Sequence, residues 1–194
     1  MTSHLAWYTA RASGFTALVL LTASMTIGLA LSMKLRSPAW PRFLTTELHR
    51  FTTLTTLVFI GVHTAALYAD SYVGFGVADL LVPFASSYAP LGMALGITAS
   101  YLLLAVWASS QLQRRIGWRL WRTLHFATFA LYVLAVAHTL AMGDDATTAW
   151  GMAIVAGSVV LVGGLTALRA LGAGPARVRA SQPPRTSRNS ESTI

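Results

Sequence analysis

The chain contains no cysteine and few charges. Without cysteine among its 194 residues, it has no disulfides, no thiolate-ligated iron, no cysteine-bound clusters and no covalent heme attachment through C-x-x-C-H. Charged residues make up 10 % of the chain, against about 25 % in a soluble domain. The acidic side is thinnest, with 6 Asp and Glu against 14 Lys and Arg. There is also no G-x-G-x-x-G fingerprint, phosphate loop, zinc motif or Ser-His-Asp set, so no flavin or NAD(P)H site is expected in this chain.

Hydrophobic residues are abundant, at 55 %. Uncharged runs cover residues 12–33, 51–69, 80–113, 123–143 and 146–168, and each reaches the roughly 18 residues of a membrane-span candidate. Lipid leaves no backbone group without a partner, so the spans must be helical. The fold class expected is an all-α integral membrane protein, a bundle of about five transmembrane helices in contact with lipid. The first run exceeds the length of an h-region and most of the basic residues near it follow it, so it does not read as a cleaved signal peptide.

The net charge of +8 does not point to nucleic acid, because the charges alternate between loops. Lys34, Arg36, Arg42 and Arg50 lie between the first and second spans. Arg114, Arg115, Arg119 and Arg122 lie between the third and fourth, and Arg169, Arg177, Arg179, Arg185 and Arg188 follow the fifth. Asp70, Asp79, Asp144 and Asp145 occupy the opposite loops, and Arg11 is the one basic residue on that side. The positive-inside rule then puts the N-terminus outside and the C-terminus in the cytoplasm of a bacterial inner or plasma membrane. Three parts are expected: an external segment 1–11, a membrane domain 12–171 and a basic tail 172–194. The tail is rich in Pro, Arg and Ser and is expected to be disordered.

Pro38 and Pro41 predict a second helix that starts after Pro41 and runs to about Tyr68. Pro83 and Pro90 break up the long third run, predicting a loop over 70–90 with a short helix at the outer face and a third helix over about 91–110. The fourth and fifth helices are expected over about 120–142 and 148–168.

Four of the five histidines fall in two of these helices: His49 and His63 in the second, His125 and His138 in the fourth. Ionisable side chains at membrane depth are costly and usually functional, and imidazole is a common axial ligand of heme iron. Both helices run from inside to outside, so His49 shares a depth with His125 and His63 with His138. Two cross-helix pairs at matched depth suit two stacked hemes. Separations of 14 and 13 residues put His63 within about 40° of His49, but His138 about 140° from His125, on ideal helices. The fourth helix therefore needs a bend, a change of winding, or ligands approaching from different sides. A hydrogen-bonded structural role is the competing reading for any single histidine; His4 reads as an ordinary exposed residue.

The stretches LHRFTTLTTLVFIGVH (48–63) and GWRLWRTLHFATFALYVLAVAHTL (117–140) resemble the ferric-reductase-like transmembrane domain. That superfamily includes ferric reductases, NADPH oxidases and the heme-binding membrane subunit of the bacterial methionine sulfoxide reductase system. The resemblance spans roughly residues 11–168. It implies two non-covalent b-type hemes, the inner iron on His49 and His125 and the outer on His63 and His138. Larger members carry a cytoplasmic FAD and NAD(P)H domain and many have six spans. Here five spans and a short polar tail are read, so NAD(P)H oxidation by this chain alone is not expected.

Arg50 and Arg122, with Arg119, flank the inner histidines and are candidate partners of the inner heme propionates; positive-inside anchoring explains them equally. Arg11 suits the outer propionates, an anionic substrate or a membrane boundary. Gly14, Gly61, Gly92 and Gly96 leave room for a flat macrocycle or for close helix packing. Trp118, Trp121, Phe126, Phe129 and Tyr132 flank a heme or simply pack.

The leading functional expectation is a diheme b-type membrane oxidoreductase component. It would carry electrons from a separate flavoprotein or quinol to an external acceptor: ferric iron, oxygen or a secreted redox protein. One alternative is the membrane anchor of a multi-subunit oxidoreductase with an external catalytic partner. Another, of a different class, is a cofactor-free small transporter or structural membrane protein.

Overall fold

Proline and aspartate punctuate the apolar runs, and the helix boundaries follow them. The computed structural model describes residues 2–34 and 41–172. Arg36, Pro38 and the basic tail from residue 173 onward, with its expected disorder, lie outside the described residues. Within them the order is α1 (Thr2–Ser32), α2 (Arg42–Ala69), α3 (Val77–Leu81), α4 (Pro90–Gln111), α5 (Gln113–Ile116), α6 (Trp118–Met142), a 3-10 turn (Asp144–Thr147) and α7 (Ala149–Ala170). The described residues form no strand. Helices α1, α2, α4, α6 and α7 are long and apolar enough to cross a membrane.

Local chemistry explains most ends. Pro41 precedes α2 in an extended conformation, and Asp70 closes it: the Asp70 N–H reaches Ala66 O, and its buried carboxylate accepts the Tyr72 N–H at 3.3 Å. Asp79 reaches back to the Gly76 N–H at 2.8 Å and starts α3, as an acidic residue at the third helical position does. Pro90 is the first residue of α4, where its missing N–H costs nothing. Gly117, at φ 80°, makes the turn into α6 that a residue with a Cβ resists. Thr148 caps α7 by accepting the Gly151 N–H at 3.2 Å.

The start of α1 differs from expectation. The uncharged run begins after Arg11, yet the helix begins at Thr2. Arg11 is accommodated inside the helix because Asp145, in the turn before α7, accepts from its guanidinium, through Nε at 2.7 Å and also through an Nη. Trp7 lies one turn away with its ring under the same guanidinium. A paired charge need not end a helix.

Helix α1 packs along α2, and α4 along α6. The buried core joins Leu21, Met25 and Leu29 of α1, Ala99 and Leu103 of α4, Leu131 and Tyr132 of α6 and Val162 of α7. α2 and α6, which hold the four membrane histidines, are not among the closely packed helix pairs of the described residues. Val58, Val133 and Val160 are among the large apolar side chains on the outside, a surface that suits lipid. Leu131 is 1 % exposed. Leu131→Ala is expected to cost about 2 kcal/mol, the low end for this change, because helices in lipid are held mainly by packing. Unfolding in a denaturing detergent titration checks this.

Candidate functional site

The four histidines meet as two pairs across the space between α2 and α6. His49 and His125 have ring centroids 6.3 Å apart and planes at 68°. His63 and His138 have the same 6.3 Å separation and planes at 88°. The two helices therefore run in the same direction, and each pair takes one residue from each helix. The interval of 13 residues on α6 is absorbed without a break in the helix. The two imidazoles instead lie against different neighbours: His138 against α4, His125 against Trp121 of its own helix.

Three of the four rings are fixed by a backbone carbonyl. His63 Nδ1 donates to Ala10 O at 2.8 Å, His138 Nδ1 to Gly92 O at 2.8 Å and His49 Nδ1 to Ser24 O at 3.0 Å. A carbonyl only accepts, so the proton sits on Nδ1 and the Nε2 lone pair is free to act as a ligand. Ser24 Oγ adds a contact to His49 Nδ1 at 3.2 Å and one to Thr53 Oγ1 at 2.8 Å. The fourth ring differs. His125 Nδ1 is buried without a hydrogen-bond partner among the described residues, and the ring stacks on Trp121 at 4.8 Å and 26°. Trp121 is held in turn by its indole N–H, which donates to Ser110 Oγ of α4 at 3.2 Å.

The donor set fits an iron that brings its own equatorial ligands. Among the described residues no three His, Cys, Asp or Glu side chains gather as a metal site. What exists is two imidazoles, twice. A metal–nitrogen bond of about 2.0–2.1 Å on each side, plus about 1.1 Å from each nitrogen to its ring centre, would span about 6.2–6.4 Å with both nitrogens facing the metal. The 6.3 Å separations agree. A cavity of about 680 Å³ reaches His63 and His138 and is also lined by Gly14, Gly96, Arg11 and Asp145, within the roughly 300–1,000 Å³ of ligand pockets.

Three of the arginines singled out from the sequence have partners other than the imidazoles. Arg50 is exposed and pairs with Glu47 at 3.0 Å. Arg122 is exposed and lies over the Phe126 ring at 5.8 Å, which Arg169 approaches at 5.9 Å. Arg11 lines the cavity but is engaged by Asp145. Of the flanking aromatics, Trp121 touches an imidazole. Gly61 faces open space, Gly92 meets Met142, and Gly14 and Gly96 meet His63 and His138. The anchoring carbonyls of Ala10, Ser24 and Gly92 were not foreseen from the sequence, since any residue supplies a carbonyl.

Five apolar spans with two histidine pairs held between two of them define a helical membrane protein built around paired imidazoles. A family model described as the ferric reductase like transmembrane component matches residues 13–136, and the chain belongs to that family. This makes it a membrane oxidoreductase component. The matched residues include His49, His63 and His125 and end two residues before His138. No curated protein and no solved structure matches the chain.

Proposed function

We propose that the chain is a diheme b-type electron carrier of the membrane, one iron held by His49 and His125 and the other by His63 and His138. The observation that carries this reading is the shared 6.3 Å separation of the two cross-helix pairs. The chemistry of the donors supports it: two imidazoles per site and, among the described residues, no group of three metal-ligating side chains, a donor set that would suit a heme iron. When bound, the hemes supply one-electron redox chemistry at two levels. The chain's own residues hold, orient and insulate. The Nδ1–H bonds of His49, His63 and His138 aim their Nε2 atoms, and Thr56 and Leu131, at 1 % exposure each, are buried midway between the two histidines of their helices.

The charge map orients the pairs. Lys34, Arg114, Arg115 and Arg169 lie at the His49/His125 end, which the positive-inside rule makes cytoplasmic. Electrons then enter near His49 and His125 from a separate flavoprotein or from quinol. They leave near His63 and His138 to an external acceptor: ferric iron, oxygen or a redox protein. Arg50, Arg119 and Arg122 are the cations available to propionates at the inner level, and Arg11 is the one at the outer level.

Liposomes that enclose ferricyanide test the transmembrane step. With heme-loaded protein in the bilayer and dithionite outside, ferricyanide is expected to be consumed at least tenfold faster than in protein-free liposomes. His125→Ala should remove the excess. A rate equal to that of protein-free liposomes contradicts the proposal.

A further inference from the structure

The three carbonyl anchors share a feature that hydrogen-bond distances alone do not reveal. Each accepting carbonyl lies four residues before a glycine on the same helix: Ala10 before Gly14, Ser24 before Gly28 and Gly92 before Gly96. In an α-helix the carbonyl of residue i already accepts the N–H of residue i+4. A second donor must come in from outside, over the surface that the i+4 side chain covers. At all three places that side chain is missing, and the ring that donates to the carbonyl also lies on the glycine.

The clearances show how closely. A Cβ on Gly96 would stand 2.6 Å from both Cε1 and Nδ1 of His138. One on Gly14 would stand 3.1 Å from His63 Nδ1 and 3.2 Å from its Cε1, and one on Gly28 would stand 3.3 Å from His49 Cε1. Ordinary carbon contacts are about 3.5–4.0 Å. A methyl group at Gly96 pushes the imidazole off its carbonyl, whereas at Gly14 and, least of all, at Gly28 the ring must give by a few tenths of an ångström. By contrast a Cβ on Gly61, Gly157, Gly163 or Gly164, also inside helices, would have no neighbour within 4 Å among the described residues. Glycine disfavours a helix interior relative to alanine, so its presence under three imidazoles is unexplained by helix formation.

The register supports the same conclusion. Gly14 and Gly28 are 14 residues apart on α1, as His49 and His63 are on the antiparallel α2. The match lets one face of α1 seat both imidazoles of α2 in the same way.

We infer that Gly14, Gly28 and Gly96 are positioning residues for the histidine ligands: by leaving the helix surface bare beside the carbonyls of Ala10, Ser24 and Gly92, they let α1 and α4 fix the tautomer and ring orientation of His63, His49 and His138. α1 and α4 contribute no ligand but set three of four. His125 has no such seat and takes its orientation from Trp121.

This inference rests on the heme reading for its spectroscopic consequence, but not for its tautomers. Alanine is placed at Gly14, Gly28, Gly96 and, as controls, Gly157 and Gly163, with folding judged by monodispersity in detergent and circular dichroism. In heme-loaded protein, Gly96→Ala is expected to lower bound heme from two per chain to one. Gly14→Ala should keep the fold and shift the low-spin ferric electron paramagnetic resonance of one centre. Gly28→Ala, the mildest change, should keep both hemes and shift the resonance of the other centre; it remains informative if Gly96→Ala does not fold. The controls should match wild type. Folded Gly14, Gly28 and Gly96 variants with wild-type heme content and resonances overturn the inference while leaving the diheme reading intact.

If the wild-type protein takes up no heme, the functional reading fails by itself and the tautomers still decide. Nitrogen-15 spectra of histidine-labelled apoprotein in a His4→Gln background should show three imidazoles protonated at Nδ1, one fewer in Gly96→Ala. Spectra unchanged by the glycine substitutions overturn the positioning role.

Discussion

Replacing His63 or His138 with alanine is expected to remove one heme of two and to leave the other centre's spectrum in place; replacing His49 or His125 does the converse. The reason is geometric. Each pair draws one imidazole from α2 and one from α6, and the two levels on α2 are about 21 Å apart along the helix. Loss of one ring leaves the partner level with its own two donors. Heme per chain, measured as the pyridine hemochrome, should fall from two to one in every single variant. Added imidazole should restore part of the lost binding by filling the vacated side of the pair. Either loss should also stop ferricyanide consumption in the liposome assay, since the path needs both levels. A single alanine variant that keeps two low-spin hemes contradicts the ligand assignment at that position.

The second large effect is expected at the opposite kind of residue, a charge with no proposed ligand role. Asp145 accepts from Arg11 through both oxygens, and their side chains are 13 % and 31 % exposed. Exposed ion pairs contribute up to about 1 kcal/mol, and breaking a buried one costs about 3–5 kcal/mol. A partly covered pair falls between. Asp145→Arg, which sets two guanidinium groups against each other, is expected to destabilise the protein by about 2–3 kcal/mol. The double exchange Arg11→Asp with Asp145→Arg should recover at least half of that loss, because the two residues are in direct contact and their effects are not additive. Detergent unfolding of the four proteins of this cycle measures the coupling. Additive losses in the double variant would show that the pair does not join α1 to the turn before α7.

How far the sequence led depended on the kind of signal. The five spans were legible because the charges fall outside long apolar runs, and α2 begins after Pro41 and ends before Asp70 as those residues suggest. The start of α1 was not legible, because Arg11 reads as a boundary until Asp145, 134 residues away, is seen to pair with it. Which histidines face each other was legible from loop charges alone, since these make α2 and α6 run the same way. How the rings are held was not, because backbone carbonyls carry no residue signature. Its one trace in the sequence is the interval of 14 residues between Gly14 and Gly28, which repeats that between His49 and His63. The partner that Arg50 takes was not legible either. Arg50 follows His49 but is turned about 100° around the helix, and it meets Glu47 in solvent.

Two histidine pairs at two depths make a claim about number as well as identity. The most direct test is a redox-titrated optical spectrum of the purified, heme-supplemented full chain, together with heme quantification. The account predicts two b-type hemes per chain and a titration that needs two one-electron components. Colourless protein, or a four-histidine alanine variant that binds heme as well as wild type does, would contradict it.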